Sequence, residues 1–360
     1  MVSLFDPLQI GDIETRNRIW MSPLTRLRAT REHVPTELMI EYYAQRAKAG
    51  LIISEGTGIN QEGLGAPCAP GIWNEEQVEA WKPITKAVHD RGGKIIVQMW
   101  HMGRATHSNV TGVKPVSSSA TKYPTHVHTY AGKLQPEVAR PLSVPEIKQT
   151  IKDYGTAAKN AIEAGFDGVQ IHGANGYLVD EFLRDSDNHR TDEYGGSIDN
   201  RIRFLEEVVA EVTAAVGSER TSLRLSPNGE TQGTYDSHPE ELFSEVAQRL
   251  NKYNLAFLEL REVGPKDTFG HTDEPKLHPL FNKLYSGTLV LNQEYTRETA
   301  EEALKSGIAA AVTFGRPFMS NPDLVEKIAH EDDNWTPSDV STWYSSGPKG
   351  YTDFPIRYNL

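Results

Sequence analysis

Gly168-Val-Gln-Ile-His-Gly-Ala-Asn-Gly-Tyr177 is the stretch on which the fold turns. Its first four residues make a short, mostly apolar run of the kind a buried strand uses. His172, Asn175 and Tyr177 follow at once. A buried strand that ends on polar side chains of three chemical types reads as the C-terminal rim of a parallel barrel or sheet. His172 and Asn175 can both donate hydrogen bonds to one oxygen, and Tyr177 can donate a proton. That combination suits polarising a carbonyl and protonating the carbon next to it.

Outward from this stretch, short apolar runs alternate with amphipathic segments. Strands are expected at Arg18–Ser22, Leu51–Glu55, Lys94–Met99, Gly168–Ile171, Thr221–Leu225, Ala256–Glu259, Thr288–Leu291 and Ala311–Phe314. Helical periodicity marks Thr36–Ala49, Asn74–Arg91, Val144–Ala164, Ser197–Val216, Pro239–Leu250 and Thr296–Ser306. Repeated strand–helix units at this length point to an α/β fold, a (β/α)8 barrel. The competing open doubly wound sheet favours a Gly-rich turn after its first strand, where this chain has Met21-Ser-Pro-Leu-Thr-Arg26. No linker or shift in composition divides the chain, so residues 1–360 are expected to be one domain. Residues 111–142, rich in Pro, Ser, Thr and His, break the rhythm after the third strand. They are expected to be an extended loop or small hairpin near the site.

Composition narrows the function classes. The net charge of -12 argues against a nucleic-acid or anionic-membrane surface. A single cysteine, Cys68, cannot supply a disulfide within the chain, an iron–sulfur cluster or a Cys-based metal site. No signal-peptide pattern opens the chain, and no run approaches the ~20 apolar residues of a membrane span. A cytoplasmic protein is expected.

The unusual polar residues also fall at strand ends, where barrels place their active sites. Thr25 follows the first strand, Gly56 the second, Gln98 and Trp100 end the third, and Gly315-Arg316 follows the eighth. Each has a plain structural alternative. Thr25 can cap a turn, Gln98 can satisfy backbone groups, Trp100 can be packing, His172 can be a satisfied histidine, and Asn175-Gly176 is an ordinary turn pair. Arg224 inside Ser222-Leu-Arg-Leu225 is different, because an unpaired buried cation is costly and calls for an anion or a cofactor. Gly315 before Arg316 would let backbone approach a phosphate.

Several longer motifs then run in order: Met21-Ser-Pro-Leu-Thr-Arg26, Val97-Gln-Met-Trp-His-Met-Gly-Arg104, His172-Gly-Ala-Asn-Gly-Tyr-Leu178, Phe182-Leu-Arg-Asp-Ser-Asp-Asn-His-Arg-Thr-Asp-Glu-Tyr-Gly-Gly-Ser197 and Phe314-Gly-Arg-Pro-Phe-Met-Ser-Asn-Pro-Asp323. With them the chain resembles, over essentially its whole length, the Old Yellow Enzyme family of FMN-dependent ene-reductases. It is similar to the branch with H-x-x-N at the substrate site.

The resemblance implies non-covalent FMN, reduced by NADPH or NADH, and hydride transfer to the β-carbon of an activated alkene. It implies Thr25 at the flavin O4, with Pro23 and Leu24 placing backbone against the ring, Gly56 among the cofactor contacts and Gln98 at the pyrimidine edge. Arg224 would lie near N1 and O2, Gly315 and Arg316 at the phosphate, and Trp343 close to the flavin. His172 and Asn175 would hold the substrate oxygen, Tyr177 would be the proton donor, and Trp100 and Tyr344 would line the substrate pocket. No metal is implied, and monomer or homodimer stays open. Many relatives have a phosphate-binding glycine after the seventh strand; here the sequence is Leu291-Asn-Gln-Glu-Tyr295, so backbone amides of Asn292 and Gln293 are expected to serve. A flavin- or ligand-binding barrel with nitro-compound or quinone reduction as its main activity is the alternative.

Overall fold

The computed structural model describes residues 2–268 and 270–359; residues 1, 269 and 360 lie outside the described residues. Eight parallel strands close into a barrel in chain order. They are β1 (Ile19–Met21), β2 (Ile52–Gly58), β3 (Ile95–Trp100), β4 (Gly168–Gly173), β5 (Thr221–Leu225), β6 (Phe257–Arg261), β7 (Leu289–Asn292) and β8 (Ala311–Phe314). All eight expected strands are present within a few residues of their expected bounds. The helices that follow the successive strands are α1 (Glu37–Gln45), α2 (Glu75–Asp90), α3 (Val144–Glu163), α4 (Ile198–Val216), α5 (Pro239–Leu250), α6 (His278–Leu284), α7 (Arg297–Lys305) and α8 (Leu324–Ala329). Of these, α6 and α8 were not expected, because six or seven residues are too few to show a 3.6-residue period. Local signals set the longer helix starts. Asn74 accepts from the Gln77 amide ahead of α2, and Ser143 with Glu146 forms a capping box ahead of α3.

Alternation along each strand separates two packing layers. On β4, Val169 and Ile171 pack outward with the helices. Inside the barrel, the lower layer is apolar: Trp20, Ile53, Ile96, Phe257, Val290 and Ala311. The Trp20 and Phe257 rings meet edge-on at 5.1 Å. A hairpin of Leu8–Ile10 against Ile13–Thr15 closes this end, packing Ile10 and Ile13 on the same cluster. Above that layer the interior turns polar, which is where the site begins.

The segment 111–142 is more structured than a loop. Val116–Ser117 pairs in parallel with Arg140–Pro141, and Val127–Thr129 pairs with Gly132–Leu134 as a hairpin. Glu181, buried beyond β4, anchors the segment by accepting from the Ser117 hydroxyl at 2.7 Å and the Arg104 amide at 2.9 Å. Among the described residues no helix is long and apolar enough to cross a membrane.

Candidate active site

Two neighbouring cavities open at the C-terminal rim. One, of about 360 Å³, is lined by residues from the ends of β1, β5, β7 and β8, including Pro23, Leu24, Thr25, Arg224, Gly315 and Arg316. The other, of about 320 Å³, lies under the 111–142 segment and includes Trp100, Met102, Tyr123 and Tyr177. Thr25, Gln232 and Tyr344 line both. These volumes suit a small organic ligand each.

β4 delivers the polar trio. The Nδ1 of His172 accepts from the Ala174 amide at 3.3 Å, which leaves the ring proton on Nε2 as a donor. Burial, with Arg224 and Arg261 nearby, holds this imidazole well below the usual histidine range, so it is neutral at physiological pH. The chain then turns sharply, with Asn175 at φ 62° and Gly176 at φ 72°. A side chain at Gly176 would run into the Thr231 carbonyl at 2.6 Å, so the Asn-Gly pair is required by this turn. The Asn175 amide donates to Ser226 Oγ at 2.8 Å. Tyr177 stands edge-on to both His172 and Trp100, at 5.0 Å in each case. Burial pushes its hydroxyl above the ordinary phenol range, against a lowering influence from the Gln232 side chain. Gly56 lines neither cavity. A Cβ there would meet the Trp100 ring at 2.5 Å, so its smallness serves the seat of that indole.

Below the rim runs a closed hydrogen-bond chain. Gln98 donates to Gln170 at 2.9 Å, and Gln170 donates to Glu259 at 2.9 Å. Thr313 also donates to Glu259, at 2.6 Å. Arg224 contacts Glu259 at 3.3 Å and donates to Asn292 Oδ1 at 2.8 Å. Asn292 in turn donates to Ser22 and to the Thr313 carbonyl. This bears on two expectations. Arg224 has a protein anion, Glu259, and does not wait on a cofactor for its first counter-charge. The Asn292 side chain belongs to this inner network. Both Asn292 and Gln293 line the rim cavity. Glu259 had a readable signal, a charge inside Phe257-Leu-Glu-Leu260 that repeats the pattern of Arg224 one strand earlier.

At the outer end, Arg316 pairs with the Glu294 carboxylate and donates to Thr268 Oγ1 at 2.8 Å. Trp343 and Tyr344 reach the cavities from the C-terminal segment. Arg26 and Arg28, from the loop that carries Thr25, hold that segment. Both donate to the Trp343 carbonyl, at 3.1 and 3.0 Å, and Arg28 also donates to the carbonyls of Thr342 and Lys349. Glu294, Gln232, Arg261, Arg26 and Arg28 were not expected at the site; only tertiary structure brings them there.

The residues fit FMN. The Nε of Arg224 is buried without a hydrogen-bond partner, a donor aimed at a group other than protein. A Cβ built on Gly315 would come no closer than 3.5 Å to its nearest neighbour, Leu24, so packing does not demand the glycine.

A parallel barrel with a cationic, hydrogen-bonding cradle beside a buried His–Asn–Tyr trio on one rim has the makings of a flavin-dependent oxidoreductase. The chain matches the NADH:flavin oxidoreductase / NADH oxidase family over residues 3–334, and it belongs to that family, that of Old Yellow Enzyme. It is 59% identical to the old yellow enzyme homologue from Zymomonas mobilis, with a TM-score of 0.97 over 98% of this chain and 99% of that one. Against morphinone reductase in complex with tetrahydroNAD the TM-score is 0.93 at 39% identity, covering 100% and 99%. It is 40% identical to flavin oxidoreductase hxnT of Emericella nidulans, over 98% of this chain and 97% of that protein. It is 41% identical to 12-oxophytodienoate reductase 7 of Oryza sativa subsp. japonica, over 98% and 94%. The chain is therefore an NADH:flavin oxidoreductase, with FMN as cofactor and a nicotinamide nucleotide as hydride donor.

Proposed function

We propose that the chain is an ene-reductase, reducing a carbon–carbon double bond conjugated to an aldehyde, ketone, nitro or imide group. The observation that carries this reading is the β4 trio: a neutral His172 with a free Nε2 proton, Asn175 on the next turn, and a protonated Tyr177 5.0 Å from the His172 ring.

FMN reduced by NAD(P)H supplies the hydride. His172 and Asn175 donate to the substrate oxygen and draw electron density away from the β-carbon. As hydride arrives there, the double-bond pair shifts toward that oxygen, where both donors gain strength. Tyr177 gives its proton to the α-carbon and is reprotonated by solvent. Trp100 and Tyr344 flank the substrate. On the cofactor side, Thr25, Gln98 and Arg224 would hold the ring system, Pro23 and Leu24 would present backbone to it, and Trp343 would lie beside it, while Gly56 would serve only by seating Trp100. Gly315 and Arg316 hold the phosphate. Arg224 places positive charge where the reduced ring accumulates negative charge.

The test is an anaerobic visible spectrum of the holoprotein, before and after NADPH and then after 2-cyclohexenone. Bleaching followed by return of the yellow band is expected. Bleaching that the enone does not reverse removes ene-reduction of that substrate and favours nitro-compound or quinone reduction on the same site.

A further inference from the structure

Arg261 ends β6 with its guanidinium Nη1 3.3 Å from the Asn175 side-chain oxygen, and it lines the same cavity as Asn175, Arg224 and Gln232. An asparagine amide has two ends of similar shape, and its hydrogen-bond partners decide which end faces the ligand. The backbone of Asn175 is already fixed, by its left-handed turn and by its amide bond to Ser226. What remains free is the amide flip.

We propose that Arg261 is a positioning residue that acts through Asn175: it holds the Asn175 oxygen, turns the Asn175 amide N–H toward the substrate oxygen, and polarises that N–H as a donor. A cation on the carbonyl end withdraws charge along the amide, so the opposite N–H becomes more acidic in character. The gain is largest when negative charge builds on the substrate oxygen during hydride transfer. Burial and the neighbouring Arg224 bring Arg261 down to about 10, so it keeps its charge at neutral pH. The inference rests on the oxygen-gripping role given to Asn175 above.

The test is a double-mutant cycle in the holoprotein, with Arg261→Met made in the native and the Asn175→Ala backgrounds. Two readouts are used: the rate at which 2-cyclohexenone reoxidises the pre-reduced flavin, and the dissociation constant of 4-chlorophenol from the oxidised protein. In the native background Arg261→Met is expected to lower the first and raise the second by about tenfold, the scale of one hydrogen bond to a charged group. In the Asn175→Ala background the same change is expected to do less than about twofold. Equal effects in the two backgrounds overturn the proposal, as does no effect in the native one. Arg261→Gln keeps an N–H donor without the charge and serves as the second variant should the methionine variant not fold. It is expected to recover phenol binding to within about threefold of the native protein, and recovery equal in both backgrounds again overturns the proposal. A native protein that binds 4-chlorophenol but does not reduce 2-cyclohexenone sinks the ene-reductase reading while leaving the Arg261–Asn175 coupling measurable.

Discussion

Arg224 and Glu259 sit opposite each other on β5 and β6, with Nη1 3.3 Å from each carboxylate oxygen and both side chains buried. The pair sets the charge of the cradle. Glu259 offsets Arg224 before any cofactor binds, so a flavin held against Arg224, as proposed above, would feel the field of the pair and not of a lone cation. Glu259→Gln keeps the shape and much of the hydrogen bonding but removes the offset. The bound flavin should then be easier to reduce, with a midpoint potential raised by at least about 30 mV, the equivalent of about 1.4 kcal/mol for two electrons. Breaking one side of a buried pair also costs about 3 kcal/mol of stability, to be read as a lower denaturant midpoint. An unchanged or lowered potential would show that the offset does not reach the flavin.

Tyr177→Phe separates the two halves of the cycle. Loss of a positioned proton donor lowers alkene reduction by roughly 10²–10⁴-fold, while flavin reduction by NADPH stays within a few-fold. Rapid mixing of each half-reaction distinguishes them, and a joint fall of both would remove Tyr177 from the proton-donor role. Because burial raises the Tyr177 hydroxyl above its ordinary value of 10.0, the phenol stays protonated through mildly alkaline conditions. Alkene reduction is therefore not expected to fall through loss of the Tyr177 proton below about pH 10.

Much of this was legible in the sequence, and the residues show why. Buried parallel strands must be apolar on the outer face, so Val169, Ile171 and their counterparts mark all eight strands. Each polar side chain at a strand end had a plain structural reading of its own, and what set His172, Asn175, Tyr177 and Arg224 apart was their joint placement toward one rim. Illegible were partners that come from distant strands or loops. Gln232 reaches Tyr177, Arg261 reaches Asn175 and Glu294 reaches Arg316 across sequence separations that no local period records. The Ile10–Ile13 hairpin that closes the barrel floor is too short to carry a pattern at all.

Buried histidines and carboxylates give the fold a dated pH profile. Burial holds His101 down to about 3, and lowers His33 and His172 as well. For these the unfolded chain binds more protons below pH 6.5, so their contribution is complete above that pH and is lost as pH falls. Burial raises Glu55 to about 7 and Glu181 to about 8. For these the folded chain binds more protons above pH 4.5, so stability declines as pH rises from there to about 8. The two trends cross so that the melting temperature should peak near pH 6.5 and fall by pH 8. Glu181→Gln, which mimics the protonated acid, should flatten the alkaline side. A profile still rising between pH 6.5 and 8 would mean that both carboxyls are ionised in the folded protein.

Glu294 occupies the guanidinium of Arg316, the group proposed above to hold the FMN phosphate. It pairs with Arg316, and Thr268 bonds both members, donating to Glu294 at 2.7 Å and accepting from Arg316 at 2.8 Å. Arg316 and Thr268 together hold Glu294 below the usual carboxylate range, so it is charged at neutral pH and repels a second anion brought to the same place. Glu294→Gln removes that repulsion while leaving a hydrogen-bond acceptor for Thr268 and Arg316. FMN should bind the apoprotein about tenfold more tightly, the scale of one exposed-to-partly-buried charge contact, and the difference should shrink in high salt. Arg316→Ala should weaken FMN by a similar or larger factor. Both constants follow from the loss of free-flavin fluorescence on titration. Weaker binding in Glu294→Gln would reverse the assignment, making Glu294 the group that aims Arg316 at the phosphate and not its competitor.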